Sequence, residues 1–299
     1  MRKKTKQLVL PLLTALIWGC AFVAQKSGAG AVGALTFTWA RYLLAGLALL
    51  VFLSVRSRRT GVPLRPELTA ALNAGLVLGT LLMIASNLQQ YGMRFTTAGK
   101  AGFVTALYIV LVPLLGLLLH KPVRLSVWCG VAAAVAGLYF LSFAKGGAPA
   151  FNAGDLCVLG CALVFSLHIL AVDHFTERFD GVILACLQFF VAAAESLALG
   201  LVLEGFPVAA VLSCAVPILY AGLISGGVGY TLQIVAQQDG DPTVVSLLLS
   251  LESLFAALSG AVLLHERLTA RELLGCGLML LAVLLVQLPE RKSAAEIDR

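Results

Sequence analysis

Three charged side chains sit inside long apolar stretches of this 299-residue chain: Arg41 in 33–54, Glu195 in 182–203 and Glu252 in 243–264. Stretches of that length suit helices that cross a bilayer. A charge at the bilayer centre costs about 2.5–3.5 kcal/mol on insertion scales, so it faces the bundle interior or a wet cavity. At a rise of about 1.5 Å per residue, Arg41 and Glu195 both fall about 12 Å from the outer ends of their stretches, and Glu252 about 18 Å from that side. Depth allows Arg41 to meet either carboxylate, and the closer match in height predicts an Arg41–Glu195 pair. Glu252, near mid-membrane, could hold a substrate amine or carry a proton. The plainer roles are structural: an ion pair, an Arg bonded to carbonyls, or a Glu that ties neighbouring helices together.

Other side chains in the apolar stretches could line a solute cavity. Trp18, Tyr42, Tyr108 and Tyr230 would supply aromatic walls, and Asn87, Gln90, Gln188 and Gln233 polar contacts. His168 falls in the middle of its stretch and is either a proton relay or a bonded core residue. Lys100 is expected to snorkel to the outer surface, and Glu204, at a helix end, to be solvated. Seven cysteines are scattered through the apolar stretches, an odd number with no disulfide framework. Cys157 and Cys161 share a helix face without a His or third Cys nearby, so they are read as buried thiols rather than a metal site. Neither an HExxH zinc motif nor a GxxxxGK[ST] phosphate loop occurs, so metalloprotease chemistry and direct ATP hydrolysis find no support, and no cofactor is expected. Ser225-Gly226 resembles a membrane serine protease motif only in passing, since Leu223 stands where that motif needs Gly.

The elements that must position these residues follow from composition. Hydrophobic residues make up 60% and charged residues 12% of the chain, with a mean hydropathy of +0.97. Soluble domains carry about twice that share of charge. A soluble enzyme, a disordered chain and a nucleic-acid binder are thereby excluded, and a polytopic membrane protein remains. Ten apolar stretches can be read, near 8–25, 33–54, 69–91, 99–119, 125–143, 155–172, 182–203, 214–236, 243–264 and 270–288. Continuous apolar stretches of about 20 residues indicate helices, not alternating barrel strands. With a cytoplasmic N-terminus, fourteen of the 21 basic residues fall inside and five outside, which predicts both termini in the cytoplasm. Arg2, Lys3, Lys4 and Lys6 before the first stretch mimic a secretory signal, but the stretch is long and lacks a cleavage site, so it is read as the first span. Asp241-Pro242 reads as a cap and first-turn Pro opening the ninth helix.

The two halves match in order. His120-Lys121 aligns with His265-Glu266 and Gly130 with Gly275 at an offset of 145, and Gly75-x-x-x-Gly79 aligns with Gly222-x-x-x-Gly226 at an offset of 147. Five spans per half is an odd number, so the second copy would enter the membrane upside down. Inverted repeats of that kind are a transporter architecture, and the glycine faces allow close helix contact.

Several motifs carry a family likeness. They are Trp18-Gly19-Cys20-Ala21-Phe22, Trp39-Ala40-Arg41-Tyr42, Gly229-Tyr230-Thr231-Leu232-Gln233, and above all Leu251-Glu252-Ser253-Leu254-Phe255-Ala256-Ala257-Leu258 followed by His265-Glu266-Arg267-Leu268-Thr269. Together they resemble the EamA-domain transporters of the drug/metabolite transporter superfamily, over about 8–288. The resemblance implies ten helices around a central cavity, alternating access, and transport of small polar or amphipathic solutes, with export favoured. Three positions depart from the family's pattern: Ser253 stands where Pro is usual, His265 where Gly is common, and Lys121 where the first repeat would carry Glu. Without that Pro, the ninth helix is expected to be less kinked.

The sequence thus leads to an all-α integral membrane protein of ten transmembrane helices in two inverted repeats, 8–143 and 155–288, joined by 144–154. Its expected work is secondary transport of an amino-acid-like or drug-like metabolite across a bacterial cytoplasmic membrane. The partners are the solute, the lipid bilayer and, if transport is coupled, a proton or other ion; nucleic acid is not one. An intramembrane enzyme and a lipid scramblase are the alternatives. The oligomeric state is left open.

Overall fold

A computed structural model describes residues 3–96, 98–118, 120, 123–142, 152–205, 208–238, 240–263 and 269–287. Outside them lie Arg2, Lys121, Lys145, His265, Glu266, Arg267 and the basic C-terminal residues, together with the side chains of Lys3, Lys4, Lys6 and Lys100. The described residues are helical and contain no strand. Five helices fill the first half before the fourth apolar stretch ends in a sixth: α1 (Lys3–Ala29), α2 (Ala34–Thr60), the short α3 (Leu64–Ala70), α4 (Leu72–Gly92), α5 (Ala98–Ala106) and α6 (Tyr108–Leu118), with α7 (Leu125–Ser142) after them. The second half holds α8 (Ala153–Thr176), α9 (Gly181–Leu203), α10 (Val208–Ser213), α11 (Ala215–Leu219), a π-helical segment (Tyr220–Tyr230), α12 (Thr231–Gln237), α13 (Pro242–Leu249), α14 (Glu252–Leu263) and α15 (Ala270–Gln287). Among the described residues eight helical stretches are long and apolar enough to cross a membrane, and Leu125–Phe140 and Leu273–Val286 are shorter apolar helices.

Lipid gives helices no hydrophobic reason to associate, so close packing at small residues has to do it. Both glycine pairs serve that end. A Cβ on Gly75 would strike Leu187, and one on Gly79 would strike Val191 and the Gln188 carbonyl, so α4 lies hard against α9. A Cβ on Gly222 would sit 2.7 Å from the Arg41 carbonyl and one on Gly226 3.1 Å from Ala45, so the π-helical segment lies hard against α2. On the far side α7 packs along α15, Gly130 facing Val286 and Gly137 facing Gly275 and Met279. The two largest of four buried clusters among the described residues lie around Ile109, Leu138, Leu249 and Met279 and around Tyr42, Leu78, Leu184 and Phe189.

Helix starts are closed by acceptors. Asp241 Oδ1 accepts from the Thr243 and Val244 amides with Pro242 in the first turn, as its sequence suggests. Asn152 and Asp155 form a reciprocal capping box at α8. Glu204 departs from expectation. It is not simply solvated: it accepts from the Leu35 amide at 3.1 Å, the Thr36 amide at 2.8 Å and the Thr36 hydroxyl at 2.8 Å. The α2 cap residue is Gly33, which has no side chain to offer, so the carboxylate at the end of α9 closes α2 from outside. A carboxylate there also meets the positive end of the helix dipole. Glu204→Ala is expected to lower the thermal midpoint in detergent, at a cost of about 1–2 kcal/mol, and Glu204→Gln to cost less. An unchanged midpoint in both variants would remove the cap from the account.

Two of the long stretches are broken at matching places. The fourth is interrupted at Leu107, between α5 and α6, and the ninth at Ser250–Leu251, between α13 and α14. The ninth helix is therefore interrupted although it lacks the usual Pro. Serine hydroxyls offer the reason: Ser246 Oγ donates to the Thr243 carbonyl at 2.8 Å and Ser250 Oγ to the Leu247 carbonyl at 2.7 Å. Back-bonding of this kind competes with the helical ladder and bends it. Ser253 then donates to the Gly102 carbonyl at 3.2 Å and ties α14 to α5.

Candidate functional site

The two breaks open onto one internal cavity. Its wall takes residues from α1, α2, α4, the fourth and ninth stretches, α8, the π-helical segment and α12. Free space at its centre is small, about 30 Å³, room for about one water. Six of the twelve residues singled out from sequence line it: Trp18, Arg41, Tyr108, Tyr230, Gln233 and Glu252.

Glu252 is the first residue of α14 and is 3% exposed. The Tyr108 hydroxyl, at the start of α6, donates to its Oε1 at 3.1 Å. A bond therefore joins the two broken stretches at the first residue after each interruption. Gly19 makes room for this: a Cβ there would sit 2.7 Å from the Glu252 carbonyl, so α1 closes on the break.

Arg41 is 3% exposed on α2. Its Nη1 donates to Gln25 Oε1 at 3.2 Å. The guanidinium lies 4.6 Å from the centre of the Tyr42 ring and 5.6 Å from that of Phe37. Contacts of this geometry attract a cation to the ring face. Its Nε has no acceptor. The expected Arg41–Glu195 pair does not form. Glu195 Oε1 instead accepts from the Thr80 hydroxyl at 2.7 Å, in the contact between α4 and α9. Depth arithmetic fixed the height of each group but not its direction around the helix: α2 turns Arg41 inward, and α9 turns Glu195 onto α4.

The remaining candidates stand behind the wall. Tyr42 bonds the Ser86 hydroxyl and stacks on Phe189 at 5.3 Å. Gln90 donates to the Gln25 carbonyl at 3.0 Å, which braces the residue that holds Arg41. His168 Nε2 pairs with Gln188 Oε1 at 2.9 Å, and its ring stands edge-on to Tyr230. Asn87 donates to the Met83 carbonyl and the Ser196 hydroxyl, in the same α4–α9 contact as Glu195. Tyr230 is the hub of the aromatic wall, with Trp18 at 4.6 Å between ring centres and Tyr42 at 6.3 Å. Trp18 Nε1 donates to the Ser225 carbonyl at 3.2 Å, a carbonyl in the π-helical segment.

Sequence reading overlooked Gln25, Gln89, Thr105, Phe22, Phe165 and Ile169, all of which line the cavity, and considered Ser225 only as part of a protease motif. Gln89 was within reach of helical phase. Gln89 and Gln90 are adjacent, 100° apart on the wheel, and Gln89 bonds Thr105 across to the fourth stretch at 3.1 Å.

Comparison with known proteins now bears on this geometry. The model of the EamA-like transporter family matches residues 5–143 and again 152–288. An uncharacterized transporter of Archaeoglobus fulgidus is 31% identical over 280 residues, covering 92% of this chain and 84% of its own. The uncharacterized inner membrane transporter YedA of Escherichia coli K12 is 27% identical, covering 94% and 92%, and the uncharacterized transporter YoaV of Bacillus subtilis is 23% identical, covering 89% and 92%. A crystal structure of a protein with 18% identity superposes with a TM-score of 0.75 over 95% of this chain and 96% of the other, which is a likeness of fold. The chain belongs to the EamA-like transporter family, and it is a membrane transporter.

Proposed function

We propose that this chain is a secondary-type exporter of a small polar or amphipathic metabolite, amino-acid-like or drug-like, working by alternating access at the cavity described above. The observation that carries the proposal is the cavity itself. It lies at two helix breaks that correspond under the internal repeat, and one cation and one carboxylate face it without pairing to each other. Broken helices at a repeat interface are where secondary transporters bind their solutes.

The proposal includes ten spans in two inverted repeats, 8–143 and 155–288, with 144–154 between them and both termini in the cytoplasm. Three features favour the repeat. The family matches twice along the chain. Leu107 and Ser250–Leu251 are separated by 143–144 residues, close to the offset of 145 that aligns the flanking motifs. Gly75/Gly79 sets α4 on α9 while Gly222/Gly226 sets the π-helical segment on α2, the exchange that a pseudo-twofold axis requires. A cavity with about 30 Å³ of free space has to widen before a metabolite fits, so solute entry requires the helices around it to part. Energy then comes from the solute's own gradient or from an ion, and Glu252 is the group to carry a proton if one is coupled.

The test is untargeted mass spectrometry of spent medium from cells that express the chain and cells with an empty vector. A metabolite enriched outside only with the chain is the expected result. Equal media, together with no uptake of labelled solutes by the same cells, would overturn the transport reading.

A further inference from the structure

We infer that Arg41 anchors an anion subsite that takes the carboxylate of a monoanionic solute whose remaining body is apolar. The inference rests on reading the cavity as the transport site. Its starting point is a buried cation without an ion-pair partner. Among the residues lining the cavity Arg41 is the one cation, and no carboxylate lies within ion-pair distance of it among the described residues. Both intramembrane carboxylates are engaged elsewhere, Glu252 by Tyr108 and Glu195 by Thr80. A buried charge without a counter-charge is a large and avoidable cost to a membrane protein. It is tolerated where a ligand supplies the missing charge.

The geometry around Arg41 favours a carboxylate. The rings of Phe37 and Tyr42 hold the guanidinium, and Tyr42 is itself fixed by Ser86 and Phe189. Gln25 uses Nη1, and the Nε donor is left without an acceptor. A guanidinium offers five donors in a rigid fork, and its Nε–Nη2 edge matches the two oxygens of a carboxylate. A phosphate dianion fits poorly, because no second cation among the described residues lines the cavity and the Glu252 carboxylate shares it. An amine alone would meet Arg41 as a like charge. The rest of the wall includes Trp18, Phe22, Phe165, Ile169 and Tyr230, which suits an apolar or aromatic body.

Three probes that share a phenyl group and differ in head group test this on the purified chain in phospholipid nanodiscs: 3-phenylpropionate, 3-phenylpropylamine and phenyl phosphate, each titrated by calorimetry near neutral pH. The carboxylate is expected to bind at least about tenfold more tightly than either of the others. Arg41→Gln is expected to lose at least about tenfold of that affinity and Arg41→Lys, which keeps the charge but not the fork, to lose less. Equal or tighter binding of the amine or the phosphate, or no binding of any probe, would overturn the subsite. So would full affinity for the carboxylate in Arg41→Gln. The order of the three probes on the wild-type chain stands even if Arg41→Gln fails to fold. Flux of bound probe into proteoliposomes is read separately: carboxylate binding without flux overturns the transport reading and keeps the subsite, whereas flux with the head-group order reversed overturns the subsite alone.

Discussion

Glu252→Ala is expected to cut solute flux about a hundredfold at equal membrane level, equivalent to about 2.7 kcal/mol. Glu252 is buried at the interruption of the ninth stretch, bonded by Tyr108 across to the interruption of the fourth. Removing it takes out the one carboxylate among the described residues of the cavity wall and leaves a buried hydroxyl without its acceptor. A hydrogen bond of this kind is worth about 1.4 kcal/mol here, about tenfold, and the loss of the carboxylate itself supplies the rest of the effect. Two companions separate charge from contact. Glu252→Gln keeps an acceptor for Tyr108 and loses the charge, and Tyr108→Phe keeps the charge and loses the donor. If the carboxylate acts on solute or proton, Glu252→Gln should approach the alanine variant, while Tyr108→Phe should lose only about tenfold. If Glu252 merely ties the two stretches together, Glu252→Gln should transport nearly as well as the wild type. Flux within twofold of wild type in Glu252→Ala would end its place in the transport cycle.

The order of the apolar helices was legible because lipid leaves little choice: about 20 consecutive apolar residues make a span wherever they occur. Caps were legible when they were local. Asp241-Pro242 is a cap that can be read from two neighbouring residues, and it forms. Glu204 is a cap supplied to α2 from 168 residues away, and nothing in its neighbourhood announces it. The same distinction runs through the site. Spacing gives height in the membrane for Arg41, Glu195 and Glu252, and residue type marked Tyr108 and Tyr230 as wall candidates; Arg41, Tyr108, Tyr230 and Glu252 do line one cavity. Azimuth depends on how helices rotate against each other, and that is set by packing. Glu195 and Arg41, placed at matching depth by spacing, face different neighbours for this reason. The break before Glu252 shows a third limit. No Pro marks it, and the local signal is two serines whose hydroxyls bond carbonyls three residues back, a rule that is weaker and more dependent on context.

Gly222→Val is expected to be strongly damaging to the helix packing, with a cost of about 3 kcal/mol or more and little folded protein recovered from the membrane. A side chain there would meet the Arg41 carbonyl at 2.7 Å, the Arg41 Cα at 3.3 Å and the Leu44 Cβ at 3.0 Å. Two of the three are backbone, which cannot step aside by changing rotamer, so α2 and the π-helical segment would have to separate. Their separation carries Arg41 with it, because the residue whose carbonyl is struck is the one whose guanidinium faces the cavity. Gly79→Val is the matched control in the first half. It strikes Val191 and the Gln188 carbonyl between α4 and α9, where neither glycine nor its contact lines the cavity. Both variants should unfold at lower temperature in a detergent melt. In whatever fraction folds, Gly222→Val alone should also weaken solute binding by about tenfold, since only its displacement moves the cation. Equal melting of wild type and Gly222→Val would show that α2 and the π-helical segment are not in the close contact from which the cavity is built. Equal loss of binding in both variants would show that the wall responds to general loosening rather than to the position of Arg41.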